Sequence, residues 1–150
     1  VEKEKLDIIL EAGRLAPTTK NNQIQRIYVA KSNDALIKID ELTPCRYNAP
    51  LVLLVAFDES EAFVYPGGKY NTGVEDATIV ASHMVLAAAS LGVDSCWVNL
   101  FDPDKAREKF SLPKNEKIVA MIDLGYANDG VKPLENHYKR KNIDETVKFI

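Results

Sequence analysis

Behind Ala16-Pro17, the chain sets Thr18-Thr19-Lys20-Asn21-Asn22-Gln23, in which two hydroxyls and three side-chain amides share six positions with one charge. Hydroxyls and amides both donate and accept hydrogen bonds. The segment therefore suits a ligand rich in oxygen and nitrogen, and by composition it equally suits a solvated turn. A second concentration of chemistry lies near the end. Lys139, Arg140 and Lys141 stand directly before Asn142-Ile143-Asp144-Glu145, in which Asn142 can cap a helix and Glu145 can close a capping box. Cations at the positive end of a helix dipole cost roughly 0.3–1 kcal/mol each when exposed. A bound anion reverses that penalty, and a phosphate matches both the backbone donors and the arginine fork. The alternative reading is a solvated run of charge.

Other reactive types are less suggestive. Gly67-Gly68-Lys69-Tyr70 lacks the spacing and the preceding strand of a phosphate loop. His83 falls inside an apolar helical stretch and reads as a core or interface histidine. His137 is at most a neighbour of the basic tail, and Trp97 reads as a core or pocket-wall residue. Cys45 and Cys96 show no C-x-x-C or metal-ligand spacing, which suits a reducing, cytoplasmic setting. No nucleophile carries a motif, and no carboxylate pair can be placed together. The net charge of -3 and pI near 5.4 disfavour nucleic acid and anionic membranes as partners. The longest uncharged run, Ala77 to Val93, contains Thr78, Ser82, His83 and Ser90 and falls short of a spanning segment.

The elements that must position these residues follow from periodicity. Leu6, Ile9, Leu10 and Gly13 make one helical stripe that stops before Pro17. Arg26 to Ala30 reads as a strand, Ser32 caps a helix through about Leu42, and Leu51 to Phe57 is an unalternating apolar run, a strand covered on both faces. Thr72-Gly73-Val74-Glu75 has the pattern of a capping box. It opens a long helix without charge from Ala77 to Leu91, ended by Gly92. A helix apolar on every side must be buried on every side, and 150 residues can hardly cover it, so a second subunit is expected. Strands over Val93–Asn99 and Lys117–Leu124 flank a helix from Asp102 to Phe110 with Pro103 in its first turn. The expected class is α/β in the α+β sense: one domain over 1–150, with a mixed sheet flanked by helices and a buried central helix, dimeric.

Taken in order, Glu11-Ala12-Gly13-Arg14-Leu15-Ala16-Pro17 and Thr18-Thr19-Lys20-Asn21-Asn22-Gln23 resemble the helix and loop of nitroreductases dependent on flavin mononucleotide (FMN). The family pattern there is Pro-Ser-Ser/Ala-x-Asn-x-Gln-Pro-Trp. Pro17, Thr18, Thr19, Asn21 and Gln23 match it, and Ile24 and Gln25 replace the last two residues. The resemblance continues through the uncharged helix, Leu91-Gly92-Val93-Asp94-Ser95-Cys96-Trp97, Asp123-Leu124-Gly125-Tyr126 and the basic tail.

It implies an NAD(P)H-dependent FMN oxidoreductase that passes hydride by a ping-pong mechanism to a nitroaromatic or quinone-like acceptor. The implied flavin site lies at a homodimer interface. Thr18, Thr19, Asn21 and Gln23 would approach the flavin from the partner subunit, and the backbone of Val98, Asn99 and Leu100 would lie near its redox-active nitrogen. Lys139 and Arg140 would hold its phosphate. The family's Glu-Gly pair after the Trp97 strand is missing. Its N-terminal arm with an Arg-x-Ser-x-Arg/Lys motif has no match either, and with Val1 at the start this reads as an N-terminally shortened form, with weakened or absent flavin binding if this chain is all there is and FMN bound by the full protein if it is a retained part. The alternative on the same scaffold is a non-catalytic flavin-binding or flavin-sequestering protein.

Overall fold

A computed structural model describes residues 1–150. Helix α1 spans Lys3–Leu15, strand β1 Gln25–Ala30, helix α2 Asn33–Asp40 and strand β2 Leu51–Asp58. The long helix α3 covers Gly73–Ser90, followed by β3 (Asp94–Val98), α4 (Pro103–Lys109), β4 (Glu116–Gly125) and a last short helix, α5 (Ile143–Thr146). The four strands form one sheet in the order β1-β2-β4-β3. Alternating helices and strands suggested mixed directions, but every ladder is antiparallel. The reason lies in the crossover. β2, α3 and β3 follow one another as a parallel unit would, and β4 then slots between the two parallel strands, turning their contact into two antiparallel ladders.

β2 is central, and Leu51 through Phe57 are all buried, because the sheet carries a core on each face. On one face α1 and α3 pack over Leu53, Val55, Phe57, Ala120, Ile122 and Leu124; on the other, α2 and α4 cover Val52, Leu54, Ala56, Ile118 and Met121. The period of two along β2 assigns alternate residues to the two clusters; in β4 a bulge at Val119 interrupts the alternation, so that Ile118 shares a face with Met121. α1 lies against α3 at Gly13, where a Cβ would come within 2.8 Å of Met84 Cγ. An alanine there would force the Met84 side chain to shift.

Local signals set the helix ends. The Ser32 hydroxyl accepts the Ala35 N–H at 3.3 Å, and Asp102 accepts those of Asp104 and Lys105. The expected capping box at Thr72 does not form. The Thr72 hydroxyl donates instead to Asp76 at 2.9 Å, Glu75 accepts from the Tyr65 hydroxyl, and Asn71 Oδ1 takes the Gly73 N–H. The Thr72 N–H that Glu75 would cap goes to the Phe63 carbonyl at 2.9 Å, which leaves both box side chains to other partners.

Along α3 one stripe is buried: Gly73, Asp76, Ala77, Val80, Ala81, Met84 and Ala88. The other side presents Val74, Ile79, His83 and Leu86 to solvent. His83 is thus no core residue; its Nδ1 lies 2.9 Å from the Ile79 carbonyl on the open side. Beyond Gly125 every residue from Tyr126 onward is exposed, including Leu134, Tyr138, Ile143 and Phe149. No helix is long and apolar enough to cross a membrane.

Candidate functional site

The register places the sequence-derived candidates. Gln25 pairs with Phe57, and Phe57 with Lys117, so β1 begins at the end of the sheet where β2 finishes and β4 starts. β3 finishes toward the same end, with Val98 opposite Met121. The polar loop before β1 and the segment after β3 therefore open at one end of the sheet. They do so on opposite edges, three strand spacings or roughly 14 Å apart.

The loop is tightly built. Thr19, Lys20 and Asn21 form a 3-10 turn, and Lys20, Asn21 and Gln23 have left-handed φ angles of 53°, 56° and 53°. Such conformations are unfavourable for residues other than glycine and persist only where surroundings enforce them. Here the Thr18 hydroxyl oxygen accepts the Gln23 N–H at 3.0 Å, closing the loop. Thr19 donates both its N–H and its hydroxyl to Asp76, at 2.8 and 3.0 Å. Asn22 donates to the Glu61 carbonyl, and Gln23 Nε2 to that of Asn21. The Asn21 side chain has no intrachain partner and is exposed.

A small hairpin leans on this loop. Val64 and Asn71 form a bridge, Tyr65 N–H donates to the Tyr70 carbonyl, and Gly67 and Gly68 turn the chain at φ 98° and 71°. Lys20 Nζ lies 4.4 Å from the centre of the Phe63 ring, a cation–π contact joining loop and hairpin. Beneath it, Arg26 bridges Glu61 at 2.9 Å and Asp58 at 3.5 Å. Asp58 is held below the usual carboxylate range, chiefly by the Ser60 hydroxyl and then by Asn115.

Across the sheet, Val98 is buried and can offer only backbone. Asn99 donates its side chain to the Val119 carbonyl at 3.0 Å, and its own carbonyl accepts the Phe101 N–H. No acceptor in the chain takes the backbone N–H of Asn99 or Leu100. Two adjacent free donors beside the half-exposed Trp97 make a surface able to bind the edge of a flat, acceptor-rich ring.

The tail that carries the basic pair leaves from the other end. β4 ends opposite Leu51 and Asp94, at the far end of the sheet, and the tail departs from there. Glu145 accepts the Asn142 N–H at 2.9 Å as the sequence suggested. Arg140 Nη1, however, is turned onto the carbonyls of His137 and Lys139, both at 2.7 Å. In one chain the three groups of candidates therefore stay apart: Thr18 to Gln23 on one edge, Val98 to Leu100 on the other, and Lys139 and Arg140 in the tail.

Two acids escaped the sequence reading. Asp76 is buried and holds the loop; its one signal is that it stands just before the uncharged run. Asp123 lies on β4 opposite Cys96, 4% exposed, with Oδ2 unpartnered. Burial pushes its carboxyl up to about 7, Arg46 opposing and Asp40 reinforcing the rise.

An antiparallel sheet with a long apolar helix on one face and polar loops at one end defines the class as α+β. The profile described as the nitroreductase family matches residues 44–126, more than half of the chain. The chain belongs to the nitroreductase family. It is similar to a crystal structure of a nitroreductase family protein from Clostridium difficile 630, with 37% identity and a TM-score of 0.92, over 99% of this chain and 87% of that one. An FMN-dependent nitroreductase from Clostridium difficile R20291 superposes with a TM-score of 0.76 at 28% identity, over 99% and 88% of the two chains. A protein of Archaeoglobus fulgidus, provisionally named an NADH dehydrogenase/NAD(P)H nitroreductase, is 27% identical over 139 residues, 86% of this chain and 76% of its own length.

Proposed function

We propose that the chain is one subunit of a homodimeric NAD(P)H oxidoreductase that holds FMN between its subunits and reduces nitroaromatic or quinone-like acceptors. The observation that carries this reading is the pair of unclaimed N–H groups at Asn99 and Leu100, at the end of the sheet where the Thr18 to Gln23 loop also opens. Family membership and the FMN-dependent relative support the choice of cofactor.

The residues present fit the ring end of FMN. Its ring nitrogens and carbonyls are acceptors that need donors, and Asn99, Leu100 and the amide of Asn21 supply them. Thr18 and Gln23 frame the same loop, and Thr19 is engaged with Asp76. Lys139 and Arg140 are the cations for the phosphate. Because the loop and the β3 end lie on opposite edges of one sheet, a second copy closes the site, its loop facing this chain's β3 end. The open side of α3 and the apolar tail supply surface for that contact.

A bound FMN would supply the redox chemistry by which hydride moves from NADH or NADPH to the acceptor in a ping-pong cycle. The protein's part is to hold each substrate flat against the ring in turn, chiefly a proximity effect. The hairpin over Phe63 to Asn71 stands beside the loop, where it can shape the acceptor pocket.

Titration of the purified protein with FMN, followed by anaerobic addition of NADH or NADPH, tests the reading. Saturable quenching of flavin fluorescence, bleaching by a nicotinamide and return of colour on adding a quinone are expected. Absence of flavin binding defeats the proposal. Binding without bleaching by either nucleotide favours the non-catalytic flavin-binding protein.

A further inference from the structure

Asp76 is a nearly fully buried carboxylate that meets no cation. It is 2% exposed, and its partners are three neutral donors: the Thr19 N–H at 2.8 Å and the Thr19 hydroxyl at 3.0 Å on Oδ1, and the Thr72 hydroxyl at 2.9 Å on Oδ2. A buried acid without a counter-ion is costly. Its position in the first turn of α3, at the positive end of the helix, and its three donors offset that cost. Two of the donors lie 57 residues away in sequence, in a loop that places three non-glycine residues in the left-handed region. Nothing else with this geometry ties that loop to the helix. The other bonds of residues 18–23 run within the loop or to the Glu61 carbonyl.

We propose that Asp76 is the positioning residue of the flavin-facing loop. By taking both Thr19 donors it locks residues 18–23 in the strained turn that leaves the Asn21 amide free to face the ligand. Thr19, expected from the family pattern to touch flavin, is thereby a structural anchor, and Asn21 is the contacting residue. This inference rests on the flavin reading for its functional consequence, though the anchoring itself does not.

The test compares Asp76→Ala, Asp76→Asn, Thr19→Val and Asn21→Ala with the wild type by amide hydrogen exchange, thermal unfolding and FMN titration. In Asp76→Ala, exchange at residues 18–23 should rise at least about tenfold, the order expected for loss of a charge-assisted bond, while amides of β2 and β4 stay protected. Flavin affinity should fall about as far. Asp76→Asn keeps an oxygen for the Thr19 N–H and should recover part of both losses. Thr19→Val should give an intermediate loosening, and it keeps the proposal testable if Asp76→Ala does not fold. Asn21→Ala should weaken FMN while leaving exchange at Thr19 unchanged. Unchanged exchange at residues 18–23 in the Asp76 variants overturns the proposal. So does a rise spread evenly over the sheet, which would make Asp76 an ordinary stability residue. If the wild type binds no FMN, the functional reading fails while exchange at Thr19 still decides whether Asp76 anchors the loop.

Discussion

Asp123 and Cys96 face each other across the β4–β3 ladder on the side of the sheet covered by α2 and the return segment through Arg46. The carboxyl is buried, with one oxygen unpartnered and its pKa pushed up to about 7. Burial and then the charges of Asp123 and Cys45 also raise the Cys96 thiol. Arg46, the cation nearest this group, is bound to Asp40 at 2.6 Å, so it relieves Asp123 only in part.

The sign of the resulting pH dependence follows from proton counting. Unfolded, an aspartate titrates near ~3.9; folded, Asp123 keeps its proton to about 7. Between those values the folded state binds more protons, so this group's contribution falls as pH rises through the window and is constant above it. Asp123→Asn removes the dependence. Its stability relative to wild type should grow from pH 4 to pH 7 and reach a gain on the order of 2 kcal/mol. Urea unfolding of both proteins across that range measures it, and a difference independent of pH refutes the assignment.

Tyr28 donates its hydroxyl to the buried carboxylate of Glu116, and burial followed by that bond pushes the phenol up to about 12. Tyr28→Phe leaves Glu116 with Arg26 at 3.8 Å as its remaining partner. An acceptor deprived of its donor in a buried place costs about 1–3 kcal/mol, which chemical denaturation should register. In an ultraviolet titration, the variant should lose a tyrosine that ionises near pH 12.

Gly73 begins α3 with its Cα against the ring of Phe57, so a Cβ there would overlap the ring. Gly73→Ala should destabilise by about 1–3 kcal/mol through overpacking. Phe57→Leu in the same molecule should relieve part of that loss, a non-additivity expected only of residues in contact. Additive effects in the double mutant would show that the two positions do not touch.

Leu86 is 69% exposed on the open side of α3. Leu86→Lys should alter the stability of an isolated chain by less than about 0.5 kcal/mol. In a dimer built on that side, it should shift sedimentation from dimer toward monomer and weaken FMN binding in parallel. A dimer that survives the charge locates the interface elsewhere.

Replacing Leu100 by Pro deletes one of the two free N–H groups after β3. Affinity for FMN should fall about tenfold, the worth of one hydrogen bond of roughly 1.4 kcal/mol. A comparable loss is expected for Lys139→Ala with Arg140→Ala, and it should shrink at high salt as charge contacts do. Flavin affinities of these variants equal to wild type would remove both groups from the site.

Much of this molecule was legible without coordinates because its signals are local. The apolar run Leu51 to Phe57 announces a strand covered on both faces, and Pro17, Ser32, Asp102 and Gly92 mark helix ends through the conformations they favour or forbid. The ordered motifs from Pro17 to Tyr126 were enough to indicate the family. What pairs with what was not local. β4 entering between β2 and β3 depends on contacts across the whole sheet, and so do its antiparallel ladders. The capping box at Thr72 failed because the Phe63 carbonyl and Asp76 took its groups, and only three-dimensional proximity decides such competition. The polar loop was visible as a string of hydroxyls and amides, yet which of them are spent on Asp76 and which remain free for a ligand emerged only when a helix 57 residues away came to lie beside it. Sequence specifies the residues and their local preferences; tertiary structure decides which donors have already found partners, because hydrogen bonds between distant segments form only once packing has fixed the distance between them.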